Sequence, residues 1–228
     1  MITTLQHLLN TPDLLSFCND DFILNKYDLN NTYLDRMDRT IENALNEHPR
    51  TLAVRVDLRL PLIRLNDELD RDLPNIYRYD RSNLITKFIN SFKAKIKADL
   101  NRKYKSRKRV HPCTPRYIWC RERDTSINEH FHMLLLLNKD TYHGLGCYQR
   151  EGNLSSMVNS AWASALDCIG DEIGRLVHFP ENCCYHINKN SDDYNQQLED
   201  LFRRVSYLAK KRTKCYGEGH RTFGTSSR

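Results

Sequence analysis

No stretch of the 228 residues approaches the roughly 20 consecutive apolar positions that a bilayer span requires. The N-terminus also lacks the basic region and hydrophobic segment of an export signal. With a mean hydropathy of −0.69 and 28% charged residues, these absences lead us to expect a cytoplasmic protein with no membrane partner. C-x-x-C is missing too, and the eight cysteines include an adjacent pair, Cys183-Cys184, that suits no ordinary bridge pattern. Reduced thiols are therefore expected rather than a disulfide framework. No internal repeat or low-complexity segment is present, and the length fits one large domain, or one domain with an appendage, with ample residues for a core.

Acidic residues are scarce where basic ones gather. The net charge is +6 and the pI near 8.9. Lys93, Lys95, Lys97, Arg102, Lys103, Lys105, Arg107, Lys108 and Arg109 share their stretch with a single acid, Asp99. Arg203, Arg204, Lys210, Lys211, Arg212 and Lys214 form a second cluster. Such clusters attract phosphate backbones by counterion release without reading sequence; a solvated helix face is the plainer alternative.

Hydrophobic periodicity divides the chain. Residues 1–50 read as a polar, helical extension, with Asn31 or Thr32 as a cap and Leu34, Met37, Ile41 and Leu45 on one stripe ending before Pro49. From Thr51 the period becomes two. Leu52, Val54, Val56, Leu58 and Leu60 alternate with Ala53, Arg55, Asp57 and Arg59, predicting a strand with one apolar and one charged face. Ser82 is the expected cap of a long helix carrying Leu84, Phe88, Phe92, Ile96 and Leu100. A strand over 117–122, a turn over 123–128 and a strand from His130 follow. Next come a loop over 138–152, a helix from about Leu154 to Ile169 that turns Met157, Ala161, Ala165 and Leu166 inward, and a weak strand over 183–188. A last helix over 193–212, capped by Ser191 or Asp192, precedes a Gly-rich, loose tail. From residue 51 the order β-α-β-β-α-β predicts an α+β, ferredoxin-like fold with a central antiparallel sheet whose first and third strands lie in the middle. The implied domains are 1–50, 51–215 and a flexible tail, 216–228.

The chemistry gathers at Glu129-His130-Phe131-His132-Met133-Leu134-Leu135-Leu136-Leu137. In a strand His130 and His132 share a side with Leu134 and Leu136, and the run is apolar on both faces, as a covered central strand should be. A hairpin turn near Ser126 would set Glu122 opposite His130 and Cys120 opposite His132, whereas a one-residue slip would turn Glu122 away. Two imidazoles and a carboxylate with open positions suit Mn²⁺ or Mg²⁺; with Cys120 as a further ligand, zinc would be favoured. Core histidines satisfied by hydrogen bonds are the alternative. On the last helix Leu198, Leu201, Phe202, Val205 and Leu208 form the buried stripe. Tyr207 falls on the opposite side, with Lys210 and Lys211 one turn further on and within reach of its hydroxyl. A phenol with a pKa of about 10 is a poor nucleophile unless an ammonium neighbour or a metal-polarised phosphate assists it.

His130-Phe131-His132 and Tyr207-Leu208-Ala209-Lys210-Lys211, in that order, resemble the metal-binding and nucleophile motifs of the HUH single-strand endonucleases. Val54-Arg55-Val56-Asp57-Leu58 with Pro61, Trp119-Cys120-Arg121-Glu122, and residues 206–214 resemble the replication-initiator-like proteins of inoviruses and related integrated bacterial elements. The likeness covers about residues 45–215. It implies His130 and His132 as ligands of Mg²⁺ or Mn²⁺, with Glu122 or Asp57 as the third. It further implies Tyr207 as the single nucleophile, with Lys210 as the motif lysine and Lys211 as its possible substitute. The implied activity is nicking of single-stranded origin DNA through a 5′-phosphotyrosine, with rejoining, in rolling-circle replication alongside host replication proteins. A nonenzymatic DNA-binding regulator on the same fold and a zinc-stabilised structural protein using Cys120, His130 and His132 are the competing expectations.

Overall fold

The structure, a computed structural model, describes residues 29–61, 83–123, 129–167, 175–212, 214 and 221–226. Its strands are β1 (Arg50–Arg59), β2 (Arg116–Glu122), β3 (His130–Asn138), β4 (Val177–His178), β5 (Cys184–Asn188) and β6 (Phe223–Thr225). The helices are α1 (Asn31–Glu47), α2 (Leu84–Lys105), α3 (Leu154–Leu166) and α4 (Tyr194–Ser206). The chain is thus α+β, with one six-stranded sheet ordered β4-β1-β3-β2-β6, and β5 also paired to β1. Every pairing is antiparallel. The first and third strands are central, as the patterning of both required.

Period-two alternation builds a layer on each face of that sheet. Leu52, Val54, Val56 and Leu58 of β1 and Phe131, Met133, Leu135 and Leu137 of β3 pack under α2 and α3. There Phe88 stacks on Phe92, and its ring meets Trp162 edge-on, with ring centroids 5.9 Å apart in each pair. The Trp162 indole N–H donates to the Arg59 carbonyl at 2.9 Å, satisfying the one polar atom that this burial strands. The intervening residues, Ala53, Leu134, Leu136, Ile118 and Cys120, meet α1 and α4 on the other face. Residues 31–47 therefore supply one of the two helices that cover the second core.

Several boundaries differ from expectation. The cap of α1 is Asn30, whose side chain accepts from the Tyr33 N–H at 3.2 Å, rather than Asn31 or Thr32. Ser82, the 124–128 turn and residues 168–174 lie outside the described residues. The last helix stops at Ser206 rather than 212, and Tyr207–Ala209 is a single 3₁₀ turn. The cause is tertiary: the Asn30 N–H donates to the Ala209 carbonyl at 2.9 Å, and Lys210 bridges Leu29 in extended conformation. The stretch expected to be loose is corrected over 223–225, which pairs with Ile118–Cys120 as β6. Phe223 stacks on Tyr33 at 4.1 Å, and Gly224 sits where a Cβ would collide with the Trp119 indole. No helix among the described residues is long and apolar enough to cross a membrane.

Candidate metal centre and nucleophile

The second face of the sheet is apolar at one end and charged at the other. Arg55 and Asp57 of β1, Cys120 and Glu122 of β2, and His130 and His132 of β3 share the charged end, because alternate strand residues share a side. The hairpin register sets Glu122 opposite His130 and Cys120 opposite His132, and β1 sets Asp57 opposite His132 from the other flank.

Charges alternate across this end. Arg55 Nη2 lies 2.8 Å from Asp57 Oδ1, and the same oxygen is 2.6 Å from His132 Nδ1. On its other edge His132 Nε2 faces Glu122 Oε2 at 3.4 Å. Glu122 Oε1 in turn binds the ammonium of Lys214 and accepts the Cys120 thiol at 3.5 Å. His178 Nδ1 approaches Asp57 Oδ2 at 3.7 Å.

Burial shapes the titration of each group. It works against ionisation of Asp57 and Glu122, yet both sit below the usual carboxylate range: His132 and Arg55 hold Asp57, and His132 and Lys214 hold Glu122. Burial also opposes the charge of His132, but its two carboxylate partners raise it above an ordinary imidazole. His130 goes down, first from burial and then from its neighbour His132. Burial pushes the Cys120 thiol up to about 12.

Glu122, His130 and His132 offer ligand atoms that all lie within 4.8 Å of one another, the only such group among the described residues. Two imidazoles and one carboxylate with open positions form a donor set that fits a divalent cation. Asp57, the other carboxylate weighed as third ligand, lies on the opposite edge of His132 from Glu122. It accepts from Nδ1 of His132, fixing the ring so that Nε2 points at Glu122, which is the outer-shell arrangement seen behind metal-bound histidines.

The 3₁₀ turn brings Tyr207 to this cluster. Its ring lies 5.9 Å from that of His132, nearly perpendicular, while the two histidine rings are 4.7 Å apart. Lys210 Nζ stands 4.9 Å from the Tyr207 ring centre, so the motif lysine reaches the tyrosine even though the helix has ended; Lys211 is exposed beyond it. The phenol is nonetheless shifted upward, by burial first and then by the negative Glu122, with Arg55 and Lys214 opposing. Flanking cations do not by themselves activate it.

Two contributors escaped sequence reasoning. Lys214 was one charge in a basic run, and its partner Glu122 is 92 positions away, a separation no local pattern encodes. Arg55 was visible on the charged face of β1, two residues from Asp57, and that i, i+2 spacing was the available signal. The second basic cluster is dispersed: Arg203 pairs with Glu199 at 2.9 Å, Lys210 covers Tyr207, and Lys214 is buried.

Comparison with known proteins adds kinship. The chain is 39% identical over 194 residues to the uncharacterized protein YagK of Escherichia coli strain K12, covering 85% of this chain and 91% of the relative. It is 37% identical over 199 residues to the uncharacterized protein YfjJ of the same organism, covering 85% and 93%. No solved structure matches. The family model of the YagK/YfjJ C-terminal domain matches residues 16–226, and the chain therefore belongs to that family.

Proposed function

We propose that this protein is a metal-dependent DNA nicking-and-joining endonuclease of the HUH type, with Tyr207 as its nucleophile. The observation that carries the reading is the convergence of Tyr207 from the end of α4 on the Glu122–His130–His132 group from two neighbouring strands. The β-α-β-β-α-β path with β1 and β3 central supports a ferredoxin-like core beneath it.

In this mechanism Glu122, His130 and His132 would hold a Mg²⁺ or Mn²⁺ ion, whose chemistry there would be to polarise a phosphate oxygen. Asp57 keeps His132 in register for that duty, and Arg55 anchors Asp57. Tyr207 Oη attacks phosphorus of a single-stranded DNA and the P–O3′ bond breaks. The products are a 5′-phosphotyrosine and a free 3′-hydroxyl that carries the proton the phenol gives up. The new ester retains the phosphodiester's energy, so a later 3′-hydroxyl reverses the step and rejoins the strand. Lys210 over the ring offsets charge that develops on the phenolic oxygen. Replication initiation is the use that best suits a chemistry leaving a primer end.

The test is denaturing electrophoresis of labelled single-stranded DNA incubated with protein and Mn²⁺, wild type beside Tyr207→Phe. A covalent adduct with wild type alone supports the reading; no adduct with any divalent metal defeats it. One observation favours a second reading, a DNA-binding regulator without cleavage: the Lys214 ammonium already satisfies Glu122. A native gel run beside the denaturing one decides between them, since the regulator retards DNA on the first without forming an adduct on the second.

A further inference from the structure

We infer that the exposed end of α2 is a separate binding surface for single-stranded nucleic acid, at the opposite pole of the sheet from Tyr207. Its biological sense rests on the nuclease reading; its chemistry rests on the surface alone.

The surface is built from Tyr104, Lys105, Arg107, Lys108 and Arg109, all exposed. Three other cations of the same run are engaged. Arg102 and Lys103 meet Asp99 at 2.5 and 2.8 Å, and Lys93 lies 5.8 Å from the centre of the Tyr117 ring. The four at the end of α2 have no acidic partner among the described residues. Compensation of the helix dipole accounts for Arg102, Lys103 and Lys105 in the last turn. It does not account for Arg107, Lys108 and Arg109, which lie past the end, where that field has fallen away.

The backbone makes the same point. Arg107 has φ 56°, and the Lys108 N–H donates to the Lys103 carbonyl at 3.1 Å while the Arg107 N–H donates to that of Tyr104 at 2.9 Å. This is a Schellman closure, whose left-handed residue is ordinarily glycine. An arginine there retains a cation at a backbone cost that glycine avoids. Tyr104 is 77% exposed in the middle of these charges. An aromatic side chain open to solvent and followed in the chain by four exposed cations offers a face on which an unpaired base stacks and charges that neutralise its phosphates. An anionic membrane is the less fitting partner, since Tyr104 and Tyr148 are the only exposed large hydrophobic side chains among the described residues, which leaves nothing aliphatic here to insert.

Position separates this surface from the cutting site. The Tyr142 hydroxyl donates to Asp99 at 2.9 Å, Asn138 Nδ2 donates to the Pro112 carbonyl at 2.7 Å, and Thr141 Oγ1 to that of His111 at 3.0 Å. The end of α2 and the segment after it are thereby fixed against the Asn138 end of β3, whereas the metal ligands sit at its His130 end. At about 3.3 Å per residue, β3 puts roughly 25–30 Å between the two. The scissile phosphate and the nucleotides at α2 are thus different parts of the nucleic acid.

The test uses fluorescence anisotropy of the full chain with two oligonucleotides, one of a single site's length and one several times longer, across a salt series. Tyr104→Ala should weaken binding of the longer strand roughly five- to a hundredfold. Lys105→Ala/Lys108→Ala/Arg109→Ala should lower the slope of log affinity against log salt by about 2, at about 0.7 per cation on a single strand. All four positions are exposed, and unchanged melting curves verify folding. Wild-type affinity and slope in both variants would overturn the inference, as would wild-type binding to phosphatidylserine vesicles but not to the longer strand. If these losses appear while no covalent adduct ever forms, the surface stands and the nuclease reading falls. Adduct formation with no loss in either variant has the reverse meaning.

Discussion

The two faces of β1 and β3 are made by the same strands at the same depth, yet they are held together differently. Under α2 and α3 the centre is aliphatic and aromatic, with Phe88, Phe92 and Trp162 fully buried, and polar groups enter toward the ends, where buried Arg121, opposite Phe131 in the strand register, lies 3.5 Å from Glu129 and the Tyr142 hydroxyl donates to Asp99. Under α1 and α4 the apolar packing of Ala53, Leu134 and Leu136 gives way, toward the His130 end, to Arg55, Asp57, His132, Glu122 and Lys214. At its apolar centre the first face can lose a contact and leave a hole; at its charged end the second can lose a contact and leave a charge. A paired buried charge adds little net stability but is costly to orphan, so the second face trades robustness for a fixed array of donors.

The largest effect that would sharpen this contrast is functional. Tyr207→Phe should abolish covalent attachment to DNA and leave the melting temperature near that of wild type, because only a hydroxyl is removed from a half-buried ring; denaturing electrophoresis of the labelled strand reads the first and calorimetry the second. Next come two stability losses of similar size and different kind. Phe88→Ala on the apolar face should cost about 3–5 kcal/mol in denaturant unfolding, from lost transfer energy and the cavity left behind. Glu122→Gln on the charged face should also cost about 3–5 kcal/mol, because Lys214 keeps its charge in a buried place with no partner. The two are told apart by a second change: Glu122→Gln/Lys214→Met should recover most of the loss. If the double variant is no more stable than Glu122→Gln alone, the proposed origin of the penalty is wrong.

The smallest effect lies at the rim of the second layer, on α1. Asp38 is raised to about 6, by burial first and then by Glu42 and Asp35. An acid whose pKa is higher folded than unfolded favours the folded state fully below its unfolded value. It loses that contribution as pH rises through about 6. Asp38→Asn should therefore match wild type near pH 3 to 4 and be modestly more stable above about pH 6. Chemical unfolding of both proteins across that range checks it, and equal stability at every pH would remove the proposed strain.

Much of this was legible without coordinates, and for local reasons. Alternation placed His130 and His132 on one side of a covered strand, and a short hairpin put Glu122 across from His130, because strand pairing propagates register from a single turn. The 100° spacing of Leu198, Leu201, Phe202 and Val205 marked the buried stripe of α4, but Tyr207, expected on the opposite side of that helix, lies past its end in a 3₁₀ turn with its ring 5.9 Å from that of His132. The end of α4 was not legible: it is set by Asn30 and Leu29, some 180 residues upstream, and nothing between Ser206 and Arg212 marks a stop. Nor was the placing of Asp57 and Glu122 on opposite edges of His132, since only the folded register sets which carboxylate meets Nδ1 and which meets Nε2.

The chain by itself determined the elements, the central placement of the histidine strand and the residue types available for chemistry, because these follow from periodicities of two and 3.6 that each segment carries alone. Tertiary structure decided which charges became partners. Lys214 found Glu122, Tyr207 came over His132, and the cations ending α2 were left at the far pole of the sheet, because electrostatic pairing depends on distance through space, which only the folded path sets.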